Sequence, residues 1–171
     1  MSASLPDSVD VWRMVMARRS FEGTLAVAAL PRLVSALVDD AGMVHFALEF
    51  GRDALGTAFL DVRAQADLHL LCQRSLEPFA CPVTVESRLG LIREEREEAA
   101  LLPGYEPLLV DAEPLRLASV IEDELLLALP LVPMRPGSEN AVAAWAVPAD
   151  DELEPATRAN PFAALRTLKL R

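Results

Sequence analysis

The sequence LDVRAQADLHLLCQRSLEPFACPVTVESRL, residues 60–89, decides the fold. In its first half Leu60, Val62, Ala64, Ala66, Leu68, Leu70 and Cys72 hold the even positions, while Asp61, Arg63, Gln65, Asp67, His69 and Gln73 hold odd ones. A period of two is the mark of a strand with one buried face. In the second half Phe79, Cys81, Val83 and Val85 alternate with Ala80, Pro82, Thr84 and Glu86, and the polar segment 74–78 ends in a proline. The stretch therefore reads as a hairpin whose turn carries Arg74 and Glu77. Burying each large apolar side chain of this face contributes about 1.5–3 kcal/mol. A slip of one residue would turn the whole face to water, so register is strongly specified.

Upstream, residues 1–19 form an arm expected to dock on the core through Trp12. Residues 21–27 (FEGTLAV) read as a first strand, and residues 29–39 carry Leu30, Leu33, Val34 and Leu37 at helical spacing with Pro31 in the first turn. Residues 43–50 alternate again, with Val44, Phe46, Leu48 and Phe50 on one face. Short loops between these strands imply an antiparallel meander. Downstream of the hairpin, residues 93–98 read REEREE, and residues 93–124 hold ten acids against three arginines. Pro114, with residues 111–113 as its acidic flank, opens a helix whose inner stripe is Leu117, Val120, Ile121, Leu125 and Ala128 and which Pro130 ends. The fold class is α+β: an antiparallel meander sheet of four to six strands centred on the long hairpin, covered by two or three helices. One domain spans residues 1–171, with its core at 20–130, an irregular and partly mobile segment at 131–159, and a basic closing helix at 160–171.

At 171 residues the chain is long enough to bury a core without disulfides or metal, and its net charge of −10 disfavours coating a polyanion with the whole surface. Two cysteines and an N-terminus without a continuous apolar core point to a reducing compartment, the cytoplasm. The longest strictly apolar run, residues 125–134, is interrupted by Pro130 and Pro133, whereas spanning a bilayer takes about 20 residues.

No residue is expected to be catalytic, and no cofactor or metal is implied. Cys72 and Cys81 lie on one face of the hairpin, where they could be direct cross-strand neighbours, and they read as reduced core thiols in preference to a redox pair. With His45 and His69, solvated or hydrogen-bonded on polar faces, they supply too few clustered ligands for zinc. The scattered glycines form no phosphate-binding loop. The candidate partner-binding surface is the turn, through Gln73, Arg74, Glu77 and Phe79, against the plain alternative that Arg74 pairs with Glu77 and only solubilises the turn. The acidic run Glu94, Glu95, Glu97 and Glu98 reads as a solvated face, or as a surface for a basic protein. Residues 158–171 carry four cations and no acid, so Arg166, Lys169 and Arg171 are the candidate RNA contacts. Phosphate contacts by all four cations to single-stranded RNA would give a log–log salt slope of about −3. Only Phe162 is near enough to stack on a base, and protein contact therefore ranks above direct RNA contact.

The hairpin block LLCQRSLEPFACPV, with RRSFEGT at 18–24, LPRL at 30–33, VIEDELLLALPLVP at 120–133 and NPFAALRTLK at 160–169, resembles the YceD family of small bacterial proteins, described as large ribosomal RNA subunit accumulation protein. The resemblance implies a non-enzymatic factor in the synthesis, processing or stability of the large-subunit (23S) ribosomal RNA, acting through a ribosome-assembly protein or a pre-ribosomal ribonucleoprotein. Many members of the family have a second cysteine where this chain has Ser75, and a further one in the loop that is here MRPGSEN, residues 134–140. No metal carries over. The alternatives are a direct RNA binder using the C-terminal cations, and a thiol redox or metal-dependent enzyme using Cys72 and Cys81.

Overall fold

The computed structural model describes residues 5–110 and 114–138. Strands β1 (Ser20–Ala26), β2 (Met43–Arg52), β3 (Ala58–Leu71), β4 (Pro78–Ile92) and β5 (Glu106–Leu109) form one sheet in that spatial order. The expected hairpin is β3 and β4, registered from Phe59 opposite Gly90 to Leu71 opposite Pro78. The even residues of β3 are all buried, and Val44, Phe46, Leu48 and Phe50 of β2 join them. On β4 Val83 and Val85 are buried while Phe79 and Cys81, nearer the turn, are half-buried.

The sheet is not purely antiparallel. β5 runs parallel to β4 along residues 89–92. After Ile92 no two-residue turn sends the chain straight back; a 3-10 turn at Glu95–Ala100 and the Pro103–Gly104 loop return it first, and a returned strand pairs in parallel.

Helix α3 (Leu117–Ala128) lies on the buried face, with Leu117, Ile121 and Leu125 fully covered. It starts three residues after Pro114 because Leu115 is held in a bridge with Val9, each amide donating to the other's carbonyl at 2.9 Å. Leu129 caps it before Pro130, as expected. Ala128 is exposed, and Glu122 and Glu124 are buried in its place. The N-terminal arm carries helix α1 (Val11–Met16), docked chiefly by Val9, Val11 and Val15. Trp12 is half-buried under the Arg93 guanidinium, 4.4 Å from the ring centroid.

The helix expected at 29–39 shrinks to a 3-10 turn at Val27–Ala29 and helix α2 (Pro31–Val34). The cause is the end of β3. β2 pairs with β3 only as far as Gln65, and the amide of Val38 reaches the carbonyl of His69 at 2.9 Å, drawing the chain out of helix. Asp39 follows it and meets His69 Nδ1 at 2.8 Å, which holds the Asp39 carboxyl below its usual range.

Candidate functional site

The β3–β4 turn is closed by the Leu76 amide on the Cys72 carbonyl at 2.9 Å and the Cys72 amide on the Glu77 carbonyl at 3.0 Å. Leu76 takes a left-handed φ of 58° to complete it, a conformation that disfavours side chains with a Cβ. Residues 131–138, which follow α3, fold over this tip. The Gln73 amide donates to the Pro133 carbonyl at 2.8 Å, Arg74 lies 3.3 Å from Met134 Sδ, and Arg135 pairs with Glu77 at 2.7 Å. Arg74 and Glu77 therefore do not pair with each other; each is taken by the loop that packs across them.

Beneath this cover the Cys72 sulfur has no exposed surface. It accepts from the amides of Arg135 at 3.3 Å and Ser75 at 3.4 Å, and lies 3.7 Å from the Ser138 hydroxyl. The Ser75 hydroxyl is buried beside it with no hydrogen-bond partner of its own. The hydroxyl of Ser75 first, then the amides of Arg135, Ser75 and Arg74, outweigh the desolvation of the thiol and lower its pKa to about 6. Cys81 is not its neighbour. Cys81 stands opposite Leu68 in the ladder, whereas Cys72 lies beyond the last ladder pair, inside the turn.

Gln73 and Glu77 are exposed and Arg74 and Phe79 half-buried, so all four expected contact residues gather at the tip. Exposed apolar side chains gather there too: of twelve large ones among the described residues, Leu71 ends β3 at the tip, and Leu76, Leu131, Val132 and Met134 lie in the turn or in the loop across it. Leu131 is 102% exposed and Leu76 61%. An apolar patch of this kind, rimmed by Arg74, Arg135 and Glu77, has the make-up of a protein-contact surface.

The acidic run is elsewhere. Glu94, Glu95, Glu97 and Glu98 are exposed on the 3-10 turn beyond the far end of β4, about 45 Å from the tip at ~3.3 Å per strand residue. Within it Glu94 pairs with Arg96, and Glu97 accepts from the Arg93 amide at 2.9 Å. The two sets of acidic and turn residues are thus separate surfaces. Arg166, Lys169 and Arg171 lie outside the described residues, as does the acidic flank 111–113. Among the described residues no three His, Cys, Asp or Glu side chains gather as metal ligands, and no helix is long and apolar enough to cross a membrane.

One constellation escaped the sequence reading. Buried Glu122 of α3 accepts from the amides of Arg32 at 2.6 Å and Leu33 at 3.1 Å, and its second oxygen takes the Arg32 guanidinium at 2.8 Å. Asp123 receives the other side of that guanidinium at 2.5 Å. Burial pushes the Glu122 carboxyl up, but the Leu33 amide and the two Arg32 donors outweigh it and leave the group below its usual range. The signal was the coexistence of LPRL and EDEL, which no local pattern connects.

A family model described as "Large ribosomal RNA subunit accumulation protein YceD" matches residues 60–169, from the start of the hairpin through α3 and beyond. A curated protein of the same description from Haemophilus influenzae is 31% identical over 96% of this chain and 96% of its own length. No solved structure matches significantly. The hairpin, the loop folded over its tip and the α3 helix that grips α2 all fall in the matched sequence, and this chain belongs to the YceD family.

Proposed function

We propose that this protein is a non-enzymatic, cytoplasmic factor supporting accumulation of large-subunit (23S) ribosomal RNA, and that it acts by binding a ribosome-assembly protein or a pre-ribosomal ribonucleoprotein. Family membership carries the first half of this reading. The hairpin tip supports the second: a cluster of exposed apolar side chains around Arg74, Glu77 and Arg135, on a rigid sheet, suits an anchor for another macromolecule.

The test is purification of the tagged chain from its own cells at low and high salt, beside an Arg74→Ala/Met134→Ala variant. A defined protein retained through the salt step by the parent and lost by the variant is the expected result. RNA as the main companion, released by salt with a log–log slope of about −2 for three phosphate contacts, would instead favour contact through Arg166, Lys169 and Arg171.

A further inference from the structure

Among the described strands β4 is the longest, 15 residues, and within the described residues only part of its outer edge is paired. β5 pairs with residues 89–92, where the Val110 amide donates to the Ile92 carbonyl at 2.8 Å. At Ile92, then, the backbone faces the β5 side. Backbone direction alternates along a strand with period two. The carbonyls of Ala80, Pro82, Thr84 and Glu86, and the amides of all but the proline, therefore face that side as well. Among the described residues no strand lies against them, and all four are exposed. Pro82 agrees with this direction, because a proline inside a sheet is confined to places where its missing N–H looks outward.

The open edge is flanked by carboxylates on both faces of the sheet. Glu86 stands on the open face. On the covered face Glu124 of α3 accepts from the Ser87 hydroxyl at 2.5 Å, and Glu106 and Asp123, the latter paired with Arg32, are close enough to act on it electrostatically. Of the nearby arginines, Arg88 is engaged by Asp61 at 2.6 Å, and Arg63 stands across the ladder from Glu86 on the side away from the edge. A cation on a chain lying along β4 would find the Glu86 carboxylate above the edge and the Glu106 and Glu124 carboxylates below it.

We propose that the β4 edge from Ala80 to Glu86 receives an extended basic segment of the partner protein as an added strand, which rests on the reading that the partner is a protein. Strand addition takes its affinity from main-chain hydrogen bonds and its selectivity from alternate side chains. The edge is about 20 Å long at ~3.3 Å per residue. Cationic side chains of the added strand would alternate between Glu86 on one face and the Glu106–Glu124 pair on the other.

The experiment is residue-resolved amide hydrogen exchange on the full chain, with a short capped peptide of alternating lysine and valine as probe and its glutamate–valine counterpart as control. The lysine peptide is expected to slow exchange at Thr84 and Glu86 by about tenfold or more, with an effect that fades at high salt, while the glutamate peptide leaves both unchanged. Thr84→Pro removes one outward donor that β3 does not use, and Glu86→Lys reverses one charge without touching the backbone. Each should weaken the peptide about tenfold with the unfolding midpoint nearly unmoved. Protection of Thr84 and Glu86 in the peptide-free chain would overturn the proposal. It would assign the edge to residues 139–171 if independent of protein concentration, and to a second copy if it grows with concentration. Equal protection by both peptides, or binding of the lysine peptide without protection at β4, would overturn it too. None of these results bears on which macromolecule co-purifies, so this edge and the proposed function can fail separately.

Discussion

Glu122 caps helix α2 by accepting from the amide of Arg32, its second residue, at a distance of 90 residues in the chain. Leu30, at the N-cap of α2, has no side chain able to accept a hydrogen bond, and Pro31 at the first position leaves the amides of Arg32 and Leu33 as the donors in need of a partner. The Glu122 carboxylate supplies it from another helix. Glu122→Ala should therefore leave two amides unsatisfied in a covered site and cost about 1–3 kcal/mol. Glu122→Gln, which keeps an acceptor oxygen but loses the charge, should cost less. Urea unfolding midpoints of the two variants check this ordering; equal loss in both would mean that charge pairing with Arg32, not capping, holds the helices together.

Glu122 and Glu124 respond to pH in opposite directions. The Glu122 carboxyl lies below its usual range, so its stabilisation is present above the unfolded value of about 4.3 and is lost as pH falls through its folded pKa. Glu124 is raised, first by burial and then by Glu106 and Asp123, with the Ser87 hydroxyl opposing. Its contribution is most favourable below about pH 4.3 and is lost as pH rises through its folded pKa. Glu124→Gln should accordingly be more stable than the parent at pH 7, with the advantage vanishing near pH 4. Paired thermal unfolding curves at the two pH values measure the difference.

The reach of the sequence follows from how local each cause is. Strands β2, β3 and the middle of β4 were legible because strict alternation admits one register, and the structure keeps it. β5 was not, since EPLL has no alternation and its pairing is set by where the 93–105 loop releases the chain. The length of α2 was misjudged because the competing bond, Val38 to His69, is invisible in residues 29–39 alone. The turn residues Gln73, Arg74, Glu77 and Phe79 were found by their position at a hairpin tip, but their partners Pro133, Met134 and Arg135 lie about 60 residues downstream. The buried glutamates of α3 lay outside the apolar stripe by which its inner face was read, because charged residues are seldom buried.

Cys72 gives the tip a pH dependence of its own. Its thiol is lowered to about 6 by the Ser75 hydroxyl and the surrounding amides, against an unfolded value of about 8.5. A depressed pKa contributes stability that is fully present above the unfolded value and is lost as pH falls through the folded one. The stability gap between the parent and Cys72→Ala should thus widen from pH 6 to pH 8.5. A gap that stays constant over this range would show that the sulfur acts through packing alone. The thiolate is also fully covered, so alkylation should be limited by opening of the 131–138 loop and should accelerate when Arg135→Ala releases Glu77.

Leu76 separates stability from recognition. Its φ of 58° is a conformation that costs a residue with a Cβ roughly 1–2 kcal/mol, and its side chain, 61% exposed, gains little burial in return. Leu76→Gly relieves the strain but adds backbone freedom to the unfolded chain, leaving a net stabilisation of about 0.5–1 kcal/mol. A residue that is both strained and apolar in water is explained if it makes its contact in a complex. Leu76→Gly is therefore expected to unfold at higher urea and to retain less of the partner in the salt-resistant fraction. If it is stabilised and still retains the partner fully, Leu76 is no anchor, and the contact shifts to Leu131, Val132 and Met134 on the facing loop.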